Sequence, residues 1–304
     1  MKLGFVSSIL GKYSFEKMID TAADMGFKCV EAACWPHEKA VRRYAGVSHI
    51  DVDDTSENAI IRINDYCRKR NVEISSLAYY PNTMDSDIEK RRRNTEHLKK
   101  VITASSALGI NMVTTFIGRD QNKTVEQNLD LVKEIWPPIV KFAEEKNVKI
   151  AIENCPMLFD RNQWPGGQNL MTTPKIWHQI FEIIPSSSFG LNFDPSHFVW
   201  QMMDYINPIY EFKDKIFHIH FKDIKLLKNK LSEVGIMAYP LEYMEPKIPG
   251  LGDVDWGKFV SALTDIRYDG YACIEVEDRS FENSDEAVLQ SLRLSKQYLN
   301  QFVM

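Results

Sequence analysis

Cysteine is scarce. The 304-residue chain has five, Cys29, Cys34, Cys67, Cys155 and Cys273. The number is odd and no two form a C-x-x-C pair. That excludes a disulfide framework or dithiol motif and points to small buried thiols in a reducing compartment. No apolar run approaches the ~18 residues of a membrane-crossing helix. The run within Met1–Ser8 is too short for a secretion signal and reads as a first strand, so a cytoplasmic location is expected. Positive charge is not in excess. The 37 Lys and Arg stand against 42 Asp and Glu, a net charge of −5, without the broad basic footprint of a nucleic-acid binder. The run Lys90-Arg91-Arg92-Arg93 reads as a solvated helix face. No G-x-G-x-x-G follows the first strand, where Gly4 and Gly11 are not that motif. This excludes a dinucleotide-binding doubly wound sheet.

What is present is an ordinary globular composition, 44% hydrophobic and 26% charged. A chain of this length buries roughly three-quarters of its unfolded surface on folding. It needs no metal to stay folded, so a metal site would be functional.

Short β-branched and aromatic runs alternate with segments of helical spacing. The strands are expected near Lys2–Val6, Cys29–Ala32, Glu73–Leu77, Met112–Thr115, Val148–Ile152, Phe189–Asn192, Ile216–His220 and Tyr271–Glu275. Phe15, Met18, Ile19 and Ala22 mark one helix face, ended by Gly26. Leu98, Val101 and Ile102 begin another, which Ser105 interrupts and Gly109 ends. Val125, Leu129, Val132, Trp136 and Ile139 mark a fourth helix that Pro137 and Pro138 should kink. A last helix spans about Asp285–Phe302. Eight βα units at about 38 residues each favour one (β/α)8 TIM barrel over residues 1–304. Long loops follow strand three (Tyr79–Asp85), strand five (Met157–Asn169, with Trp164-Pro165-Gly166-Gly167) and strand seven (Phe221–Asp255). In a barrel they share the C-terminal face, where active sites form.

Polar residues cluster at the strand ends. Strand five ends in Glu153-Asn154, and strand six in Asn192-Phe193-Asp194. Strand seven holds His218 and His220, and strand eight ends in Glu275. Glu153, Asp194, His220 and Glu275 make a hard, oxygen-rich set that suits one divalent ion: Mn²⁺, Mg²⁺ or Co²⁺, with Zn²⁺ as an alternative. His218 and His220 share a strand face, and His220, nearer the C-terminal end, is the expected ligand. Lys222 has two readings, a point charge for a substrate anion or a partner for Asp223. Trp35, Tyr79 and Tyr80 follow strands two and three, where they would stack on a sugar ring or pack on the rim. His37 reads as a surface histidine and Cys155 as a small packing residue.

Five stretches resemble the sugar phosphate isomerase/epimerase family of xylose isomerase-like barrels. They are Ile152-Glu153-Asn154, Asn192-Phe193-Asp194-Pro195-Ser196-His197, Phe217-His218-Ile219-His220-Phe221-Lys222-Asp223, Pro249-Gly250-Leu251-Gly252-Asp253-Val254-Asp255-Trp256, and Tyr268-Asp269-Gly270 leading into Ile274-Glu275. They run in family order across the second half. The first half matches in pattern, through Gly26-Phe27-Lys28-Cys29-Val30-Glu31. The resemblance implies that Glu153, Asp194, His220 and Glu275 bind one divalent metal and that His197 contacts substrate. It also implies that Glu153 and Glu275 act as the paired acid and base. The expected activity is a metal-dependent isomerisation or epimerisation of a sugar or sugar-like polyol through an enediolate.

Three alternatives share the barrel. A dehydratase or lyase on a keto-sugar or keto-inositol would use the same site and expel a β-substituent. An endonuclease IV-like phosphodiesterase would need a trinuclear zinc cluster with several further histidines, and of the seven present His97 and His178 fall inside helices, which leaves few spare ligands. A non-catalytic sugar-binding protein would not need all four ligands. The expected partner is a small carbohydrate, with no nucleic acid or membrane, and a homo-oligomer is compatible with the long strand-seven insertion. That insertion carries Tyr239, Tyr243 and Met244, which would shape the substrate pocket or meet a neighbouring subunit.

Overall fold

The computed structural model describes residues 1–36, 44–158 and 165–303. His37 and Trp164 lie outside these described residues. Eight parallel strands close a barrel: β1 (Lys2–Val6), β2 (Cys29–Ala33), β3 (Glu73–Ala78), β4 (Met112–Thr115), β5 (Lys149–Glu153), β6 (Phe189–Phe193), β7 (Ile216–Phe221) and β10 (Tyr271–Ile274). β10 pairs with both β7 and β1 and closes the ring. The helices are α1 (Phe15–Asp24), α2 (Glu57–Arg70), α3 (Ile88–Ala107), α4 (Val125–Glu145), α5 (Pro174–Ile183), α6 (Ser196–Trp200), α7 (Asn207–Glu211), α8 (Lys228–Val234), α9 (Trp256–Asp265) and α10 (Asp285–Leu299). This is the expected (β/α)8 TIM barrel.

The longer helices start where a Ser, Thr or Asp side chain accepts an otherwise unpaired backbone N–H. Ser14, Ser56, Asp87, Thr124, Thr173, Asp255 and Ser284 each do so three residues into their helix. α1 buries Phe15, Met18, Ile19 and Ala22, as its spacing predicts. Ser105, which breaks the apolar spacing of α3, is buried nonetheless. Its hydroxyl donates to the Met112 carbonyl at 3.0 Å and accepts from the Met112 N–H at 3.1 Å, tying α3 to the start of β4. α4 runs through Pro137 and Pro138. The Trp136 indole N–H anchors it to the Ile117 carbonyl at 2.9 Å, and Ile139 and Val140 are buried just beyond. This packing offsets the hydrogen bonds that the prolines remove.

The strand-seven connection differs from the loop expected there. Asp223–Leu226 (β8) and Met244–Lys247 (β9) pair antiparallel, with α8 between them. Tyr243 is buried at the foot of this hairpin, where its carbonyl accepts from Leu227 N–H. No helix among the described residues is long and apolar enough to cross a membrane. The Lys90–Arg93 run lies on the outer part of α3, where Lys90 pairs with Asp85 and Arg92 with Glu89 and Glu96.

Candidate metal centre at the barrel mouth

Strand alternation decides which side chains reach the mouth. On β7 and the residues after it, Ile219, Phe221 and Asp223 face outward. Phe221 packs edge-on against Trp256, and the Asp223 carboxylate accepts from the Trp256 indole N–H at 2.9 Å. Asp223 also accepts from the N–H groups of Ile224, Gly250 and Val254. A Cβ on Gly252 would lie 2.2 Å from its Oδ1, so only glycine fits there. His218, His220 and Lys222 take the other face. This overturns the Lys222–Asp223 pairing offered as one reading of the sequence. The Lys222 ammonium instead lies 3.2 Å from Glu275 and 2.5 Å from Glu277. Burial disfavours its charge, but Glu275, Glu277 and Asp194 hold its pKa well above the ordinary lysine value.

His218 lies one rung below His220 and is spent on structure. Its Nδ1 is 3.0 Å from Asn192 Oδ1 and its Nε2 3.0 Å from Ser75 Oγ. Higher up, Glu153, Asp194, His220 and Glu275 each bring one ligand atom into a group lying within 4.8 Å of one another. His220 Nδ1 is 3.6 Å from Glu153 Oε1 and 3.5 Å from Glu275 Oε2. Asp194 Oδ2, His220 Nδ1 and Glu275 Oε2 are buried and form no aligned hydrogen bond, although His197 Nε2 lies 3.2 Å from Asp194 Oδ2 and Lys222 Nζ 3.2 Å from Glu275 Oε2. Lys222 and His197 offset part of the charge of the three carboxylates, and a bound cation would complete the inward ligand atoms that form no aligned hydrogen bond. The donor set therefore fits one hard divalent ion. Burial alone would raise the Glu153 carboxyl, yet His220 and His197 hold it well below the usual carboxylate range. Burial opposes charge on His220, but Glu31 and Glu153 raise its pKa well above the ordinary value.

His197 is the second residue of the short α6 beside this group. Its Nε2 lies 3.2 Å from Asp194 Oδ2 and 3.6 Å from Glu153 Oε1. Its Nδ1 accepts the Trp200 indole N–H at 3.4 Å, so Nε2 is the nitrogen that carries the proton into the site. Cys155 Sγ falls within 4.8 Å of Glu153 and His197 and within 3.3 Å of Met157 Sδ. The other cysteines are buried, and all five are free thiols.

The aromatic residues divide by the same alternation. Tyr79 turns outward into the core, edge-on to Trp35 and His97, and its hydroxyl donates to Asn94 at 3.4 Å. Its neighbour Tyr80 faces the ligand group instead, 3.4 Å from His220 Nε2. The structure thus places Tyr80, not Tyr79, at the site. Tyr80 forms an apolar wall with Ala78, Phe116 and Met157, and Trp35 and Cys155 pack against that wall.

Glu31 is a residue that sequence reasoning did not assign to the site. It lies on β2, fully buried, with Oε2 2.9 Å from His220 Nε2 and Oε1 accepting from the Tyr80 hydroxyl at 2.6 Å. Burial raises its carboxyl, but His220 and His218 bring its pKa below the ordinary value. A glutamate inside an otherwise apolar five-residue strand was the available signal, because a fully buried Glu is almost always paired.

The remaining described histidines are engaged elsewhere. His49 lies between Ser7 and the Leu10 carbonyl, His97 on the Cys34 carbonyl, and His178 on Glu211. Among the described residues, the ligand-type groups overlap on Glu153 or His220. None offers the separate histidines of a trinuclear zinc cluster.

Comparison with known proteins agrees with this architecture. YfiH of Bacillus subtilis is 24% identical over 99% of this chain and 100% of its own length. An inosose dehydratase of Mesomycoplasma hyopneumoniae is 26% identical over 69% of this chain and 70% of its own. Among solved structures, an IolI protein with a bound zinc atom superposes with a TM-score of 0.73 at 16% identity, covering 100% of both chains. The D-psicose 3-epimerase of Clostridium cellulolyticum H10, solved with D-tagatose, gives a TM-score of 0.69 at 14% identity, covering 100% of this chain and 99% of its own. The xylose isomerase-like TIM barrel profile matches residues 19–298. The chain belongs to the xylose isomerase-like TIM barrel family.

Proposed function

We propose that this protein is a divalent-metal-dependent enzyme that isomerises or epimerises a sugar or sugar-like keto-polyol by moving a proton at the carbon beside a carbonyl. The observation that carries this reading is the convergence of Glu153, Asp194, His220 and Glu275 within 4.8 Å of one another, with buried atoms of three of them in no aligned hydrogen bond. These four residues would hold one ion, most suitably Mn²⁺, Mg²⁺ or Co²⁺, which would supply a Lewis acid for the substrate's carbonyl and neighbouring hydroxyl oxygens. The rest of the chemistry falls to the chain. Glu153 and Glu275 stand on either side of His220 and suit a pair in which one carboxylate takes the carbon proton and the other returns it. Lys222, 3.2 Å from Glu275 Oε2, would steady that carboxylate by its charge. His197 Nε2–H is placed to donate to a substrate oxygen. The wall of Tyr80, Phe116 and Met157 excludes water and gives a ring an apolar face to lie on.

A second reading is favoured by the similarity to inosose dehydratases. The same deprotonation would be followed by loss of a β-hydroxyl instead of reprotonation. One experiment separates the two. Ketoses, keto-inositols and 3-oxo-glycosides are incubated with Mn²⁺-loaded protein in D₂O and followed by NMR. Deuterium at the carbon beside the carbonyl, with the hydroxyls retained, supports isomerase or epimerase activity. Loss of a hydroxyl with ultraviolet absorption from a conjugated enone supports the dehydratase. Absence of both across the panel, with metal bound, counts against proton transfer at carbon.

A further inference from the structure

The two histidines at the mouth face a problem that their positions alone do not solve. An imidazole can present a free lone pair or a proton at each nitrogen, and a metal ligand must present the lone pair. His220 Nδ1 is the atom aimed between Glu153 and Glu275. The proton must therefore sit on Nε2. Besides the Tyr80 hydroxyl at 3.4 Å, whose proton goes to Glu31, two nearer polar groups lie within hydrogen-bond distance of Nε2, Glu31 Oε2 at 2.9 Å and the Asn192 side-chain amide nitrogen at 3.0 Å. They make opposite demands, since the amide nitrogen can only donate and a carboxylate only accept. The Asn192 amide has another outlet in the Tyr80 hydroxyl at 3.1 Å, and its oxygen faces His218 Nδ1 at 3.0 Å. Glu31 has no such freedom. Its other oxygen already accepts the Tyr80 hydroxyl proton at 2.6 Å, and no solvent reaches it. Its Oε2 faces His220 Nε2 at 2.9 Å and, farther off, His218 Nδ1 at 3.6 Å, which has the nearer Asn192 Oδ1 at 3.0 Å; the closer pairing places the His220 proton on Nε2.

We propose that Glu31 is a positioning residue that fixes His220 as the Nε2–H tautomer, with Nδ1 aimed at the metal, and that Tyr80 in turn fixes the Glu31 carboxylate. This inference rests on the metal reading above. The chain then holds its two mouth histidines in the same tautomer for opposite ends. Trp200 directs the His197 Nε2–H into the site, whereas Glu31 draws the His220 Nε2–H away from it. A fully buried carboxylate outside the four-residue ligand set has no comparable structural use here. It caps no helix, and its polar partners are all side chains of this network.

The test is titration of chelator-stripped protein with Co²⁺, following both heat and the visible absorption band, in the wild-type protein and in Glu31→Gln. Outer-shell partners of a metal-bound histidine typically govern affinity by about 10- to 100-fold. Glu31→Gln, which keeps the side-chain volume, is expected to bind Co²⁺ about 10- to 100-fold more weakly and to alter the band's position or intensity. Its far-UV dichroism should stay wild-type. Glu31→Asp, which keeps the charge with a shorter reach, should recover part of the affinity, and Tyr80→Phe should lose less than Glu31→Gln. If Glu31→Gln does not fold, the Asp and Phe variants carry the comparison, and wild-type affinity and spectrum in both would overturn the proposal. A folded Glu31→Gln with wild-type affinity and band overturns it directly. Wild-type protein that binds no Co²⁺ overturns the metal reading and this inference with it.

Discussion

The two ends of the barrel treat the same kinds of side chain in opposite ways. At the N-terminal rim, the first residues of three strands meet: Lys2 of β1, Glu73 of β3 and Tyr271 of β10. The Lys2 ammonium lies 2.6 Å from both Glu73 oxygens, and the Tyr271 hydroxyl donates to Glu73 at 2.7 Å. Charge is matched, every group has a partner, and water covers the cluster. At the C-terminal rim, Glu153, Asp194 and Glu275 face one another around His220, and several inward atoms form no aligned hydrogen bond. The lower rim is complete as it stands. In the metal reading proposed above a cation would complete the upper rim, and the C-terminal end is where a barrel does chemistry.

This contrast can be broken from either end. The largest effect is expected at the top. Glu275→Gln should lower the rate of solvent deuterium exchange by about 10²- to 10⁴-fold while leaving the thermal midpoint of the metal-free protein unchanged. Exchange at wild-type rate would remove Glu275 from its proposed role. Next is the residue that supports the mouth from outside. Asp223→Ala strands one indole and three backbone donors and should cost about 3 kcal/mol of stability, read by urea unfolding. A loss below about 1 kcal/mol would show that water replaces the carboxylate. Third, Mn²⁺ at 100 times its dissociation constant should stabilise the wild-type protein by about 2.7 kcal/mol, and Asp194→Asn should abolish that gain. The smallest effect belongs to the bottom. Lys2 and Tyr271 overcome the effect of burial and hold the Glu73 carboxyl below its ordinary value. Its contribution is therefore full above the unfolded-state value of 4.5 and is lost as pH falls through the lower folded value. The Glu73 side chain is 49% exposed, so Glu73→Gln should cost under about 1 kcal/mol at pH 7. The gap should close in acid, and deuterium exchange should not change.

Much of the upper rim was legible in the sequence because parallel strands ending in polar residues leave a regular trace. Ile152-Glu153-Asn154 and Phe193-Asp194 announce where a buried run stops and a mouth begins. The choice of His220 over His218 followed from position along one strand face, and the structure gives His218 two buried partners instead. The failures share a cause. Whether Tyr79 or Tyr80 faces inward depends on the phase of alternation on β3, which the sequence does not set for two adjacent tyrosines. Lys222 and Asp223 were open to a mutual pairing because they are neighbours, whereas successive residues of an extended chain point apart. The hairpin of β8 and β9 joins four-residue strands across an intervening helix, and Pro246 in one of them disguises it. Glu31 acquires its meaning from His220, 189 positions away, and no local pattern carries that distance.

In the proposed reading the upper rim holds one cation on four strand ends. Calorimetric titration of chelator-stripped protein with Mn²⁺ tests it most directly. One ion per chain is expected in the wild-type protein and none in a Glu153→Gln/His220→Ala variant that keeps its fold. No binding in the wild-type protein, or equal binding in the variant, would contradict it.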